Sequence, residues 1–167
     1  NTAILIVDMQ PSFCTNDETK NLVQAINAIL PEITDLTVYH VHTAWGYRPA
    51  RQDIQFATDV PLEARAFRKE ANSAFRAINT MTSLEKELKE SGIENVVLAG
   101  VNLSACIRDT AIDSCKAAFN TIVLADLVGN NQKNEHLKKI EAFEDMAEAG
   151  TTYASTAAVL KTIKNKL

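Results

Sequence analysis

The chain predicts an α/β fold: a three-layer α/β/α, Rossmann-like arrangement on a mostly parallel sheet of about six strands. Three observations predict it. Short apolar runs alternate with amphipathic helical stretches along the whole sequence, the pattern of repeated βαβ units. The first run, Ala3-Ile4-Leu5-Ile6-Val7, is apolar at every position, as a strand covered on both faces must be. No repeat, low-complexity tract or linker interrupts the 167 residues, so residues 1–167 are expected to form one domain.

The elements follow in order. The opening strand, residues 3–7, ends at Asp8, and residues 21–30 carry apolar side chains at positions 22, 25, 26, 29 and 30, the spacing of a helix that Pro31 then stops. Residues 37–42 form a second strand, followed by a polar, aromatic-bearing stretch without periodicity over residues 44–61. Residues 64–68 suggest a short third strand, and residues 83–90 a helix stopped by Gly92. A fourth strand, residues 95–99, breaks at Gly100, and a helix is expected over residues 103–118. A strand over 121–125, a helix over 132–148 ended by Gly150, a short strand over 151–153 and a last helix over 156–166 complete the chain.

Composition narrows the function classes. Hydrophobic residues make up 46% and charged residues 23%, ordinary values for a globular chain. A net charge of −4 and a pI near 5.4 give no basic footprint for nucleic acid or an anionic membrane. No apolar stretch approaches bilayer-spanning length, and the N-terminal run carries no basic leader. Cys14, Cys106 and Cys115 are an odd set without a CxxC pair, which argues against a disulfide framework and for a reducing cytoplasm. The partner expected on these grounds is a small-molecule substrate.

Three reactive side chains fall at carboxyl ends of predicted strands: Asp8 after the first, Lys69 after the third and Cys106 shortly after the fourth. In open α/β sheets that edge is where ligands bind. The thiol is placed in the first turn of a helix, where backbone N–H groups favour negative charge, so its pKa is expected to be lowered. The chemistry is coherent: a thiolate attacks a carbonyl carbon, a carboxylate moves the proton, and an ammonium stabilises the anions.

Here the motifs carry a resemblance. Asp8, Gln10 and Phe13 match a D-x-Q-x-x-F opening; Lys69, Ser73, Ala74 and Phe75 match K-x-x-x-S-A-F; and Gly100 to Asp113, with Cys106 and Thr110, resembles G-V-x-x-x-x-C-[VI]-x-x-T-A-x-D. In this order they resemble the isochorismatase-like cysteine hydrolases. The resemblance implies an Asp8, Lys69, Cys106 triad and a cis peptide between Val101 and Asn102. It also implies an oxyanion hole from the N–H groups of Asn102 and Cys106, and a homo-oligomer, a dimer or larger. With the cysteine present, it implies cleavage of a C–N bond in a small amide, carbamoyl or ureido compound through a thioester. Relatives without the cysteine hydrolyse a vinyl ether with the Asp. That reaction, and a non-catalytic module on the same scaffold, are the rival readings.

Nicotinamidases of this family hold a metal through an Asp-x-His pair after the second strand. Residues 40–49 carry none, so metal-independent chemistry without a cofactor is expected, and nicotinamide is disfavoured as substrate. His40 and His42 share one strand face, where two metal ligands could meet, but with no third ligand in the sequence the structural reading is put ahead. Phe13, Trp45 and Tyr47 are expected to line the substrate pocket, while Arg48, Arg51 or Arg68 could hold a substrate carboxylate. Asp126 is expected to order a loop, and Cys115 to pack.

Overall fold

The computed structural model describes residues 1–44, 56–59, 65–79, 81–132 and 135–164. Six strands, β1 (Thr2–Val7), β2 (Thr37–Thr43), β3 (Ala66–Lys69), β4 (Asn95–Val101), β5 (Asn120–Gly129) and β6 (Thr152–Ala154), form one sheet in the order β3-β2-β1-β4-β5-β6. Every pair is parallel. Among the described residues, five α-helices cover the two faces: α1 (Asp17–Ile29), α2 (Leu84–Glu90), α3 (Arg108–Lys116), α4 (His136–Glu148) and α5 (Thr156–Lys164). The fold class read from the sequence is the one observed.

The strands are apolar on both faces because each face meets helices. Ala3, Leu5, Val7, Tyr39, Val41, Val96 and Leu98 pack with Leu84, Leu88, Ala111, Ala142 and Met146, on the side of α2, α3 and α4. Their neighbours Ile4, Ile6, Val97 and Ala99 pack with Leu22 and Ile26 of α1 and Val159 and Leu160 of α5. Consecutive side chains of a strand thus enter opposite cores.

The strand order reverses between β1 and β4, which makes their carboxyl ends the topological switch point of the sheet. Gly100 sits there opposite Val7, with φ of 120°. A Cβ at Gly100 would lie 2.2 Å from the Val7 carbonyl oxygen, so only glycine allows this approach.

Several boundaries differ from expectation, each for a visible reason. β4 does not break at Gly100 but runs to Val101, since glycine accommodates the close contact instead of ending the strand. Helix α1 starts at Asp17, four residues before its apolar period, because the Asn16 side chain caps it by accepting the Thr19 N–H at 2.8 Å. The expected helix over 103–118 divides into a π-helical turn, Leu103–Ile107, and the regular α3. β5 continues to Gly129, and Asp126 accepts hydrogen bonds from the Thr156 N–H and hydroxyl at the start of α5.

Candidate active site

Parallel pairing assembles the site. Asp8 follows β1, and its N–H still bonds the Val41 carbonyl of β2 at 2.8 Å. Its φ of 53° is unusual for a residue with a side chain and turns the carboxylate at the strand end. Thr43 closes β2 and is paired in register with Lys69, which closes β3. Cys106 comes from the π-helical turn after β4. The three residues singled out in the sequence therefore meet, although they lie as far as 98 positions apart (8 to 106).

Their geometry is close. The Lys69 Nζ lies 2.8 Å from Asp8 Oδ2 and 3.2 Å from Cys106 Sγ, and also donates to the Ala71 carbonyl at 3.1 Å. Asp8 and Lys69 are each 1% exposed and Cys106 8%. The ion pair is thus out of water, where each charge depends on the other. The Thr43 hydroxyl donates to Asp8 Oδ1 at 2.8 Å. Thr43 was not singled out in the sequence, and only the register with Lys69 would have found it.

The thiol departs from expectation. Burial pushes Cys106 up to about 11; the Asp8 carboxylate raises it further, and Lys69 opposes the rise. The direction is opposite to the expected lowering, with burial and the adjacent carboxylate as its main causes. At neutral pH the proton therefore rests on sulfur, beside a carboxylate able to receive it.

The turn that carries Cys106 is held from β5. The Val101–Asn102 peptide is cis. Asn102 Oδ1 accepts the Asn131 N–H at 2.8 Å, and buried Asn130 accepts the Ser104 N–H on its Oδ1 at 3.1 Å. Asn130 is itself tied to α1: its carbonyl accepts from Asn16 and its N–H donates to Glu18. Below Cys106, the Thr110 hydroxyl donates to the Cys106 carbonyl at 2.6 Å and accepts the Ala74 N–H at 2.9 Å. The Ser-Ala-Phe segment and the cysteine block are thereby joined.

Of the other residues singled out, Phe13 is partly buried against the core on the α1 side. Trp45, Tyr47, Arg48 and Arg51 lie outside the described residues. Arg68 pairs with Glu70. Cys115 touches the Thr151 hydroxyl at 3.6 Å.

His40 and His42 are buried side by side against the ring of Phe56, at 4.6 and 5.8 Å between centroids. None of their four ring nitrogens has a hydrogen-bond partner among the described residues. Burial lowers both to about 4; proximity to His42 adds to this for His40, while for His42 Asp8 opposes it and Arg68 and Lys69 reinforce it. The unfolded chain takes up protons on these residues near pH 6.5, before the folded chain can. Stability is therefore full above about pH 6.5 and falls as pH drops toward 4, by up to about 3 kcal/mol for each imidazole. Urea unfolding at pH 7, 5.5 and 4.5 checks this: a His40→Leu/His42→Leu chain should lose less stability across that range than the wild type.

Residues 40–49 hold no Asp-x-His pair, and among the described residues no three His, Cys, Asp or Glu side chains form a group that could hold a metal ion. The Asp-x-His donor pair that the motif resemblance ties to a metal is not present in this sequence. No helix among the described residues is long and apolar enough to cross a membrane.

The fold and this site define an isochorismatase-type scaffold, and residues 2–158 match the isochorismatase domain family. The chain belongs to that family of hydrolases. It is 27% identical to a nicotinamidase of Acinetobacter baylyi, over 96% of this chain and 77% of that one. It is 41% identical to a maleamate amidohydrolase of Pseudomonas putida over 68 residues, a stretch covering 41% of this chain and 30% of the relative. An isochorismatase-like hydrolase from Alkaliphilus metalliredigens superposes with a TM-score of 0.77 at 22% identity, covering 97% of this chain and 98% of that one.

Proposed function

We propose that this chain is a metal-independent cysteine hydrolase that cleaves the C–N bond of a small amide, carbamoyl or ureido compound. One observation carries the reading: a buried ammonium lies within 2.8 Å of a carboxylate and 3.2 Å of a thiol. Cys106 is the nucleophile, Asp8 the general base and then acid, and Lys69 their electrostatic partner.

The steps balance. Asp8 takes the thiol proton as sulfur attacks the carbonyl carbon, giving a tetrahedral oxyanion held by the Asn102 and Cys106 N–H groups. The oxyanion collapses; Asp8 returns the proton to the leaving nitrogen, and ammonia or an amine departs from a thioester. Water then attacks the thioester while Asp8 accepts its proton, and the carboxylic acid leaves as sulfur is reprotonated. Because the resting thiol titrates near 11, base assistance is what makes attack possible at neutral pH. Relatives named for nicotinamide and maleamate support an amide, and this chain's lack of the Asp-x-His pair weighs against nicotinamide itself.

Ammonia release from a panel of maleamate, nicotinamide, carbamoyl-amines and ureido acids tests the reading. The wild type should turn over at least one carboxylate-bearing amide or carbamoyl compound, and Cys106→Ala none. No ammonia from any member of the panel, with a vinyl ether hydrolysed by the wild type and Cys106→Ala but not by Asp8→Asn, would favour the vinyl-ether chemistry instead.

A further inference from the structure

We propose that Thr43 is the positioning residue for Asp8: its hydroxyl fixes which carboxylate oxygen receives the nucleophile's proton. The inference rests on the reading above and concerns how its proton transfer is directed. Thr43 Oγ1 lies 2.8 Å from Asp8 Oδ1 and has no other hydrogen-bond partner among the described residues. A carboxylate can only accept, so the hydroxyl donates. With Oδ1 occupied, the proton taken from sulfur settles on Oδ2, the oxygen beside Lys69 and its neighbour Cys106.

The hydroxyl is itself held in place. Gln10 clasps the Thr43 backbone at both ends, accepting its N–H at 2.9 Å and donating to its carbonyl at 3.2 Å. Pairing with Lys69 in β3 fixes the other edge of Thr43. Thr43 and Lys69 therefore reach Asp8 from adjacent strands, one on each carboxylate oxygen. The ionisable groups acting on this carboxylate's surroundings are Lys69 from β3, Cys106 from the turn after β4 and His42 from β2.

The test needs no substrate. Iodoacetamide alkylation of Cys106 is followed from pH 4 to 9 by peptide mass spectrometry in the wild type, Thr43→Val and Thr43→Ser, with Cys14 as internal control. Burial also pushes Cys14 to about 11, but among the described residues no carboxylate acts on it. In the wild type Cys106 should label faster than Cys14 at neutral pH. Thr43→Val should slow Cys106 labelling at neutral pH on the order of tenfold, because the carboxylate that takes the thiol proton is no longer held in one orientation. Thr43→Ser should restore the wild-type profile. If the valine chain does not fold, Thr43→Ala removes the same hydroxyl with less bulk and carries the same expectation. A variant profile superimposable on the wild type, or serine failing to restore it, overturns the assignment of Thr43. Wild-type Cys106 labelling no faster than Cys14 overturns the underlying cysteine chemistry as well, so the two failures are distinguishable.

Discussion

Replacing Lys69 by methionine is expected to destabilise the fold by about 3–5 kcal/mol at pH 7, because it strands the Asp8 carboxylate in a site that water does not reach. Methionine fills similar volume, so the loss reports charge more than packing. Thr43 still donates to Asp8, but one hydrogen bond from an uncharged hydroxyl does not replace an ion pair 2.8 Å long. The thiol should become harder still to ionise, since Lys69 is the group that lowers its pKa. Urea denaturation reads the stability. The double variant Lys69→Met/Asp8→Asn, with neither charge present, should recover part of it. A single-variant loss below about 1 kcal/mol would show that the pair is solvated and not buried.

Asp8→Asn should separate two properties usually lost together. Turnover is expected to fall on the order of 100- to 10,000-fold, since no group remains to take the thiol proton and return it to nitrogen. Yet the thiol should ionise more readily, not less. Asp8 raises the Cys106 pKa by charge and by its hydrogen bond, and Lys69 remains to favour the thiolate. The pH midpoint at which Cys106 ionises, read from alkylation in the alkaline range, should therefore fall below the wild type's value near 11 while hydrolysis is lost. A midpoint that does not fall would mean that Asp8 does not hold the proton on the Cys106 sulfur.

The sequence made much of this legible, and the limits have physical causes. Continuous apolar runs and helical periods identified all six strands, and strand ends identified Asp8, Lys69 and Cys106, because those signals are local. Thr43 was missed because a threonine closing a strand is ordinary; its meaning comes only from register with Lys69 across β2 and β3. The π-helical turn at Leu103–Ile107 was read as plain helix, since residue spacing over five positions does not separate the two. The thiol's expected direction of shift was reversed because a helix terminus is visible in sequence, whereas burial beside a carboxylate is not. Gly100 was read as a strand breaker for the same reason: the Val7 carbonyl that requires it comes from another strand. His40 and His42 were read as structural, and they are buried against Phe56, fourteen or more positions away.

The most direct measurement of the central claim is a rapid acid quench of the wild type turning over an amide from the panel, with mass analysis of the Cys106 peptide. The account predicts a mass increase equal to the acyl group on Cys106, sensitive to hydroxylamine as a thioester is, and no ammonia release by Cys106→Ala. Undiminished hydrolysis by Cys106→Ala, with no adduct on the wild-type peptide, would contradict it.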